Sequence, residues 1–476
     1  MTFASFAGLR RVHFVGIGGA GMCGIAELLR DYDLEVTGSD LKRSAATDRL
    51  ERLGVEIFEG HDARHLGTAD VVVYSSAVPP TNVEVAAARE RSLPVVRRAE
   101  MLAELMRLKY GVAVAGTHGK TTTTSLIGHV LTETGRDPTV IVGGRLRVTG
   151  TGARHGKSEL MVVEADEYDR SFLSLMPIVA VITNIDRDHL DTYRDIEDIK
   201  SAFLGFASRV PFFGRVVLCL DDPRILELLP RLSDRRVTSY GLSPQAELSA
   251  HALETSASGT RFTVRHLSEG ALGEVELPIP GEHNVRNALA AIAVCRVLGL
   301  GLPEITGALA SFEGIHRRFE RKGVLFGAES GAAVVDDYAH HPTEVEATLE
   351  AARQVFSGRV LAVFQPHLYS RTRDLADEFG RALLLADRAL VLDIYPSREQ
   401  PIEGVTSELV VSAARRSGHR DVQWCRDWDE VPGLLHDAGP EDVVLSLGAG
   451  DVVRLAERLA EPLRAGPTLV GVEEGS

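Results

Sequence analysis

The stretch Val112-Ala-Val-Ala-Gly-Thr-His-Gly-Lys-Thr-Thr-Thr-Thr-Ser-Leu-Ile-Gly-His-Val-Leu131 decides the fold. An apolar, β-branched run, Val112 to Ala115, breaks at Gly116 into a small turn. Gly119, Lys120 and Thr121 then lead into helical spacing. Small residues in such a turn let backbone N–H groups approach phosphate oxygens. The helix N-terminus adds partial positive charge, Lys120 adds a full one, and the Thr121 hydroxyl suits Mg²⁺. The usual loop has four residues between its first glycine and the Gly-Lys pair. Here Val114 occupies that glycine position, so the loop is a shortened variant, and its chemistry fits a nucleoside triphosphate.

The rest of the chain sets the bounds. At 476 residues it is too long for one ordinary core and suggests about three domains. Its 44% hydrophobic and 25% charged residues are those of a globular protein. A net charge of −15 argues against a nucleic-acid or acidic-membrane surface while leaving room for small anionic nucleotides. Cys23, Cys219, Cys295 and Cys425 show no metal-ligand spacing, which fits a reducing compartment. The opening MTFASFAGLRRVHFVG lacks a basic region followed by a long apolar segment. No apolar run reaches the length of a membrane span, so no membrane insertion and a cytoplasmic location are expected.

Three blocks of alternating strand and helix patterns follow, an α/β chain throughout. The spacing predicts a first, Rossmann-like block over residues 1–108, with strands at Val12–Val15, Leu34–Gly38, Val71–Tyr74 and Pro94–Val96. A central P-loop ATPase-like block spans 109–320, with a β-rich portion from Leu248 to Leu277. A second Rossmann-like block spans 321–476, with strands at Ala332–Val335, Arg359–Phe364, Ala389–Leu392 and Val443–Leu447. Helices are expected at Glu344–Val355 and Arg373–Leu385, and the tail after Ala465 is expected to be loosely ordered.

The first block opens with Gly16-Ile-Gly-Gly-Ala-Gly21, a dinucleotide-type turn, and Asp40 closes the second strand where a ribose-binding acid belongs. Alone it reads as NAD binding, the turn of an oxidoreductase. The physics asks only for a diphosphate on a helix N-terminus and a ribose beside a carboxylate, which a UDP-sugar also satisfies. The second nucleotide loop at Gly116 favours the UDP-sugar.

In the central block the strand Leu160–Val163 delivers Glu164, Asp166 and Glu167. The strand Val179–Thr183 delivers Asn184, Asp186, Asp188, His189 and Asp191. Carboxylates at adjacent strand ends beside a phosphate loop suit Mg²⁺. Glu164 ends a buried strand, where a lone carboxylate is costly without a cation. Asp186 and Asp188 read equally as helix caps, and His189 as a ligand or a structural residue. Asn284 and Asn287 share a helical face and suit an adenine edge, with N-capping the other reading for Asn284. Arg317 and Arg318 read either as phosphate contacts or as a solvated basic pair. In the third block, Asp336-Asp-Tyr-Ala-His-His-Pro342 and Gln365-Pro-His-Leu-Tyr-Ser-Arg371 place titratable groups on loops at strand ends.

HFVGIGGAGMCGIAELL, AGTHGKTTTT, EADEYDRSFL, TNIDRDHLD, GEHNVRNALAA, HRRFE, DDYAHHPTE and FQPHLYSRTRD together resemble the Mur ligases, ATP-dependent amide-forming enzymes of peptidoglycan precursor synthesis, from His13 to Asp374. The resemblance implies ligation of L-alanine to the lactoyl carboxylate of UDP-N-acetylmuramate through an acyl phosphate, giving ADP and phosphate. It implies a UDP-sugar site at Gly18, Gly19, Asp40, His61, Ser75 and Ala77, with His61 reading also as structural. ATP would lie on Gly116, Thr117, His118, Gly119, Lys120, Thr121 and Thr122 with Asn284, Asn287, Arg318 and Asp336. Thr121, Glu164 and His189 would hold magnesium, two ions with Mn²⁺ as an alternative. Lys120, Glu164, His189 and His340 would serve catalysis. Tyr338, His340, His367 and Arg371, helped by Arg373, would receive the amino acid, and His340, His341 or His367 would assist amine deprotonation. Two positions depart from the family pattern. Ser201-Ala-Phe-Leu204 stands where several relatives carry a carbamoylated lysine, with Lys200 merely nearby, and Leu368 replaces a basic residue. A monomer or homodimer is expected. A ligase for recycled murein peptide, an NAD-dependent oxidoreductase and a non-catalytic nucleotide-binding regulator are the competing readings.

Overall fold

The computed structural model describes residues 8–75, 77–143, 152–189, 192–328, 331–397 and 399–461. The chain is mixed α/β with three sheet-containing domains. The first sheet holds β1 (Arg11–Val15), β2 (Glu35–Asp40), β3 (Glu56–Glu59), β4 (Val71–Tyr74) and β5 (Val95–Arg97). All are parallel in the order β3-β2-β1-β4-β5, that of a Rossmann-like half. Strand β3 was not expected, because Ile57 and Phe58 stand between acids in a run of four.

The second sheet has ten strands: β6 (Tyr110–Ala115), β7 (Thr139–Ile141), β8 (Ala153–Arg154), β9 (Leu160–Glu164), β10 (Val179–Ile182), β11 (Arg215–Cys219), β12 (Val237–Gly241), β13 (Leu248–Ser256), β14 (Gly259–His266) and β15 (Gly270–Leu277). Strand β6 lies between β10 and β9, parallel to both. Val112 to Ala115 are fully buried, which is why this strand is continuously apolar rather than alternating. The expected β-rich stretch forms β13 to β15 at one edge of the sheet.

The third sheet comprises β16 (Glu320–Val324), β17 (Ala333–Asp337), β18 (Val360–Phe364), β19 (Arg388–Val391), β20 (Val422–Trp424) and β21 (Val443–Leu447), in the order β16-β17-β21-β18-β19-β20. Only β16 pairs antiparallel. Both faces are covered: Val360, Ala362 and Phe364 enter one apolar cluster, and Leu361 and Val363 the other. The helix expected over Arg373–Leu385 is interrupted. It forms as Tyr369–Asp374, Ala376–Ala382 and a 3₁₀ turn at Leu383–Leu385, with buried Leu375 at φ −124° between the first two.

The chain divides into two compact units, one of Met1–Glu254, Arg261–Pro278 and His283–His316, and one of Thr255–Thr260, Ile279–Glu282 and the segment from Arg317 on that carries the third sheet. Among the described residues no helix is long and apolar enough to cross a membrane. None of the four cysteines is in a disulfide, and the tail after Ala465 lies outside the described residues.

Candidate active site

The central loop leaves the sheet where β6 meets neighbours on both sides, the position at which open parallel sheets bind ligands. Gly116 has φ +137°, and a Cβ there would fall 1.9 Å from Thr183 Oγ1. Gly119, at φ +79°, caps the helix Lys120–Glu133, and a Cβ there would meet Asn287 Oδ1 at 2.4 Å. Both glycines are therefore demanded by close neighbours as well as by backbone angle. The segment after β10 braces the loop. Thr183 Oγ1 donates to the His118 carbonyl (2.6 Å), Asn184 Oδ1 accepts from His118 N–H (2.8 Å), and Thr117 Oγ1 accepts from Asp186 N–H (2.8 Å).

Lys120 Nζ donates to the carbonyls of Gly116 (2.7 Å) and Thr117 (3.0 Å) and to Glu167 Oε1 (2.9 Å). Burial alone would push this amine down, but Glu167, Asp166 and Glu164 outweigh it and hold the ammonium above its ordinary range. Thr121 Oγ1 lies 2.9 and 3.0 Å from the two oxygens of Glu164, whose Oε2 also accepts from Gly143 N–H at 2.7 Å. Burial pushes the Glu164 carboxyl up despite Lys120. His189 Nε2 lies 3.5 Å from Glu167 Oε1 and 3.7 Å from Asp188, with the Tyr168 ring edge-on. Burial would lower the pKa of this imidazole, but Glu167 and Asp188 raise it.

Lys120, Thr121, Glu164 and His189 are thus brought together, and Glu167 joins Lys120 to His189. The sequence counted Glu167 among the carboxylates that suit Mg²⁺ without giving it a partner; the structure supplies Lys120 and His189. Neither Asp186 nor Asp188 caps a helix, since Asp195 caps Ile196–Ala207. Asp191 lies outside the described residues. Lys200 Nζ bonds Glu197 (2.6 Å) and Glu227, not the acids of the loop. Asn284 lies inside the helix Glu282–Val297 rather than at its cap, and its Oδ1 accepts from Asn287 Nδ2 (3.3 Å). Asn287 Oδ1 in turn accepts from Thr123 (3.2 Å). The pairs Thr121–Glu164 and Glu167–His189 fit Mg²⁺, which takes one or two carboxylates and fills its remaining positions with phosphate oxygens and water.

In the first sheet Gly18 N–H donates to Asp40 Oδ2 (2.8 Å). Gly19 is the N-cap of the helix Ala20–Asp31. Ser75 follows β4 beside Gly16, and its Oγ accepts from Ala77 N–H (3.3 Å). His61 Nδ1 lies 3.0 Å from Ser39 Oγ at the end of β2. All six expected residues gather at the carboxyl end of this sheet. Behind them stands a residue the sequence did not mark, the fully buried Glu84. Burial alone would raise its pKa, but hydrogen bonds from His13, Ser39, Asp62 N–H and His65 hold it at about 2. A carboxylate depressed from its ordinary 4.5 supplies stability that is fully present above about pH 4.5 and is lost as pH falls towards 2. The loss amounts to about 3 kcal/mol. In urea unfolding between pH 3 and 6, Glu84→Gln should therefore lie closest to wild type at pH 3; a gap independent of pH would contradict this.

In the second unit, β17 ends at the buried Asp336 and Asp337. Arg317 is no solvated residue: it reaches Asp336 (3.0 Å) and the carbonyls of Gly448 (2.6 Å) and Gly450 (3.1 Å). Arg318 lies over the Tyr338 ring, 5.4 Å from its centroid. Burial pushes Asp337 up to about 6, although its oxygens accept from Phe319 and Ala339 N–H. His341 caps the helix Pro342–Val355. His340 Nδ1 lies 2.9 Å from the Tyr338 carbonyl and 3.2 Å from Glu344. The rings of His340 and His367 meet at 5.7 Å, Tyr395 stacks on His367, and Arg371 reaches His367 Nδ1 at 3.4 Å. Tyr395, distant in sequence, was not foreseen. Arg373 pairs with Asp374 (2.7 Å), which leaves the buried Arg371 as the guanidinium beside the histidines.

The family models for the Mur ligase family catalytic domain, the Mur ligase middle domain and the Mur ligase glutamate ligase domain match residues 11–110, 114–295 and 317–450. The chain belongs to the Mur ligase family and is an ATP-dependent ligase. It is 51% identical over 458 residues to the UDP-N-acetylmuramate–L-alanine ligase of Salinibacter ruber, covering 96% of this chain and 95% of that one. The solved UDP-N-acetylmuramate–alanine ligase of Thermotoga maritima is 30% identical with a TM-score of 0.76, over 94% of this chain and 98% of that one. A murein peptide ligase from Psychrobacter arcticus is 25% identical with a TM-score of 0.67, again over 94% and 98%.

Proposed function

We propose that this enzyme joins L-alanine to the lactoyl carboxylate of UDP-N-acetylmuramate, converting ATP to ADP and phosphate through an acyl phosphate. The observation that carries this reading is a P-loop lysine flanked by Thr121–Glu164 on one side and Glu167–His189 on the other. A carboxylate is a poor electrophile, and its approach to the ATP γ-phosphate brings two anions together. Lys120 meets that charge problem at the β/γ oxygens, while the backbone N–H groups that open the helix Lys120–Glu133 would orient the phosphates. Thr121 with Glu164, and His189 with Glu167, would hold two divalent cations, Mg²⁺ or Mn²⁺, which supply charge neutralisation between phosphate and carboxylate. Asn284 and Asn287 would add to the ATP site within the same unit, and Arg318 and Asp336 are further ATP contacts that the family resemblance alone implies. The UDP-sugar is assigned to residues 1–108, ATP to 109–320 and the amino acid to 321–476, where Arg371 would take its carboxylate and His340 or His367 its amine proton. The same reading puts the enzyme in the cytoplasm as a monomer or homodimer.

Full-length protein supplied with ATP, Mg²⁺, UDP-N-acetylmuramate and L-alanine should release phosphate. Omitting either acceptor, or chelating the metal, should reduce release to background. A murein tripeptide should not replace L-alanine, as the 51% identity to an alanine-named relative supports. No ADP from the complete mixture would refute the reading.

A further inference from the structure

Glu84, second residue of the helix Val83–Glu90, has no part in the reaction as described, yet it is fully buried and ionised. Its Oε2 lies 2.5 Å from Ser39 Oγ, and Oε1 accepts from Asp62 N–H (3.1 Å) and His65 Nδ1 (2.8 Å). His13 Nε2 stands at 3.4 Å. An ionised carboxylate has no hydrogen to give, so the Ser39 hydroxyl donates to it. That hydroxyl has a single hydrogen, and its oxygen can only accept at the 3.0 Å contact with His61 Nδ1. His61 therefore carries its hydrogen on Nδ1, and in the neutral ring Nε2 is a lone-pair acceptor. Among the described residues Nε2 takes no hydrogen bond, and the side chain keeps 14% of its surface exposed. His61 follows β3 by two residues, and Gly60 N–H donates to the Asp40 carbonyl (2.7 Å). His61 thus lies on the segment that follows β3 next to the end of β2, at the carboxyl edge where a parallel sheet of this order holds a nucleotide.

We propose that Glu84 and Ser39 are positioning residues that lock His61 in its Nδ1–H tautomer, so that Nε2 accepts from an N–H or O–H donor of the uridine half of the substrate. The inference rests on the reading that residues 1–108 take the UDP-sugar. It adds a selection rule: a nucleoside whose matching donor is removed leaves the fixed acceptor unpaired.

The test uses full-length protein carrying ¹⁵N-histidine. His61 signals, assigned by their loss in His61→Gln, should show hydrogen on Nδ1 and a bare Nε2 that shifts on adding UDP. Ser39→Ala leaves Glu84 its His13, His65 and Asp62 partners and so should fold. It leaves Glu84 Oε2, 3.5 Å from Nδ1, as the remaining acceptor, so it should reduce the preference for the Nδ1–H tautomer and weaken UDP binding about tenfold with ATP binding unchanged. Glu84→Gln, whose amide no longer dictates the direction of the Ser39 hydrogen, should also loosen the tautomer. N3-methyl-UDP loses affinity if the donor is the base imide, and 2′-deoxy-UDP if it is the ribose hydroxyl. The proposal is overturned by hydrogen on Nε2 in the wild type, by Ser39→Ala changing neither tautomer nor UDP affinity, or by both analogues binding like UDP. Wild-type protein that binds ATP but no UDP would instead sink the domain assignment, and the tautomer would still decide the positioning role.

Discussion

Lys120→Ala is expected to lower turnover by about 10²-fold or more, the scale of removing one preorganised electrostatic group from a transition state. The ammonium sits on two loop carbonyls and Glu167, so its position is set before nucleotide arrives. On the proposed mechanism its loss would leave the β/γ-phosphate oxygens without their fixed cation, and it leaves Glu164 and Glu167 without their shared counter-charge. Lys120→Arg should recover little, because a planar guanidinium does not fit a seat made for a compact ammonium. Steady-state ADP formation at saturating substrates is the measurement, and a near-normal rate in Lys120→Ala would remove the lysine from the mechanism.

Gly116→Ala should be a strongly damaging single-methyl change. The new Cβ would overlap Thr183 Oγ1 at 1.9 Å on a backbone at φ +137°. That combination should cost about 2–4 kcal/mol and lower the midpoint of thermal unfolding by roughly 5–10 °C. Relief of the overlap moves Thr183 away from the His118 carbonyl that it holds at 2.6 Å, so ATP affinity should fall with stability. Gly307→Ala is the control, since a Cβ there meets nothing within 4 Å and the position is exposed in the helix Leu302–Leu309. That change should be neutral or stabilising. Equal melting temperatures for the two variants would show that the crowding at Gly116 is not real.

The particular residues explain what could be read in advance. The strands β4, β6, β9, β10 and β18 were legible because buried parallel strands are continuous apolar runs, and β1 and β21 because their runs are nearly so, broken only by His13 and Ser446. The short β3 and the break at Leu375 were not, since a run of four between acids and a leucine within helical spacing carry no local signal. Asp186 and Asp188 offered a capping pattern, but Asp195 stood nearer the true helix start and took the cap.

By its own local chemistry the sequence determined the strand, glycine turn, lysine and helix at Val112–Leu131, and with them a phosphate-binding loop. Those features depend on neighbours within a few positions. Only tertiary structure decided that Glu167 links Lys120 to His189, that Tyr395 stacks on His367, and that Glu84 is buried under His61. Each of these contacts spans 22 or more residues, and for Glu84 the sequence shows only one acid in the first turn of a short helix, outwardly suited to solvent. Its burial and charge state follow from four partners that converge only when β1, β2 and the segment after β3 are packed around it.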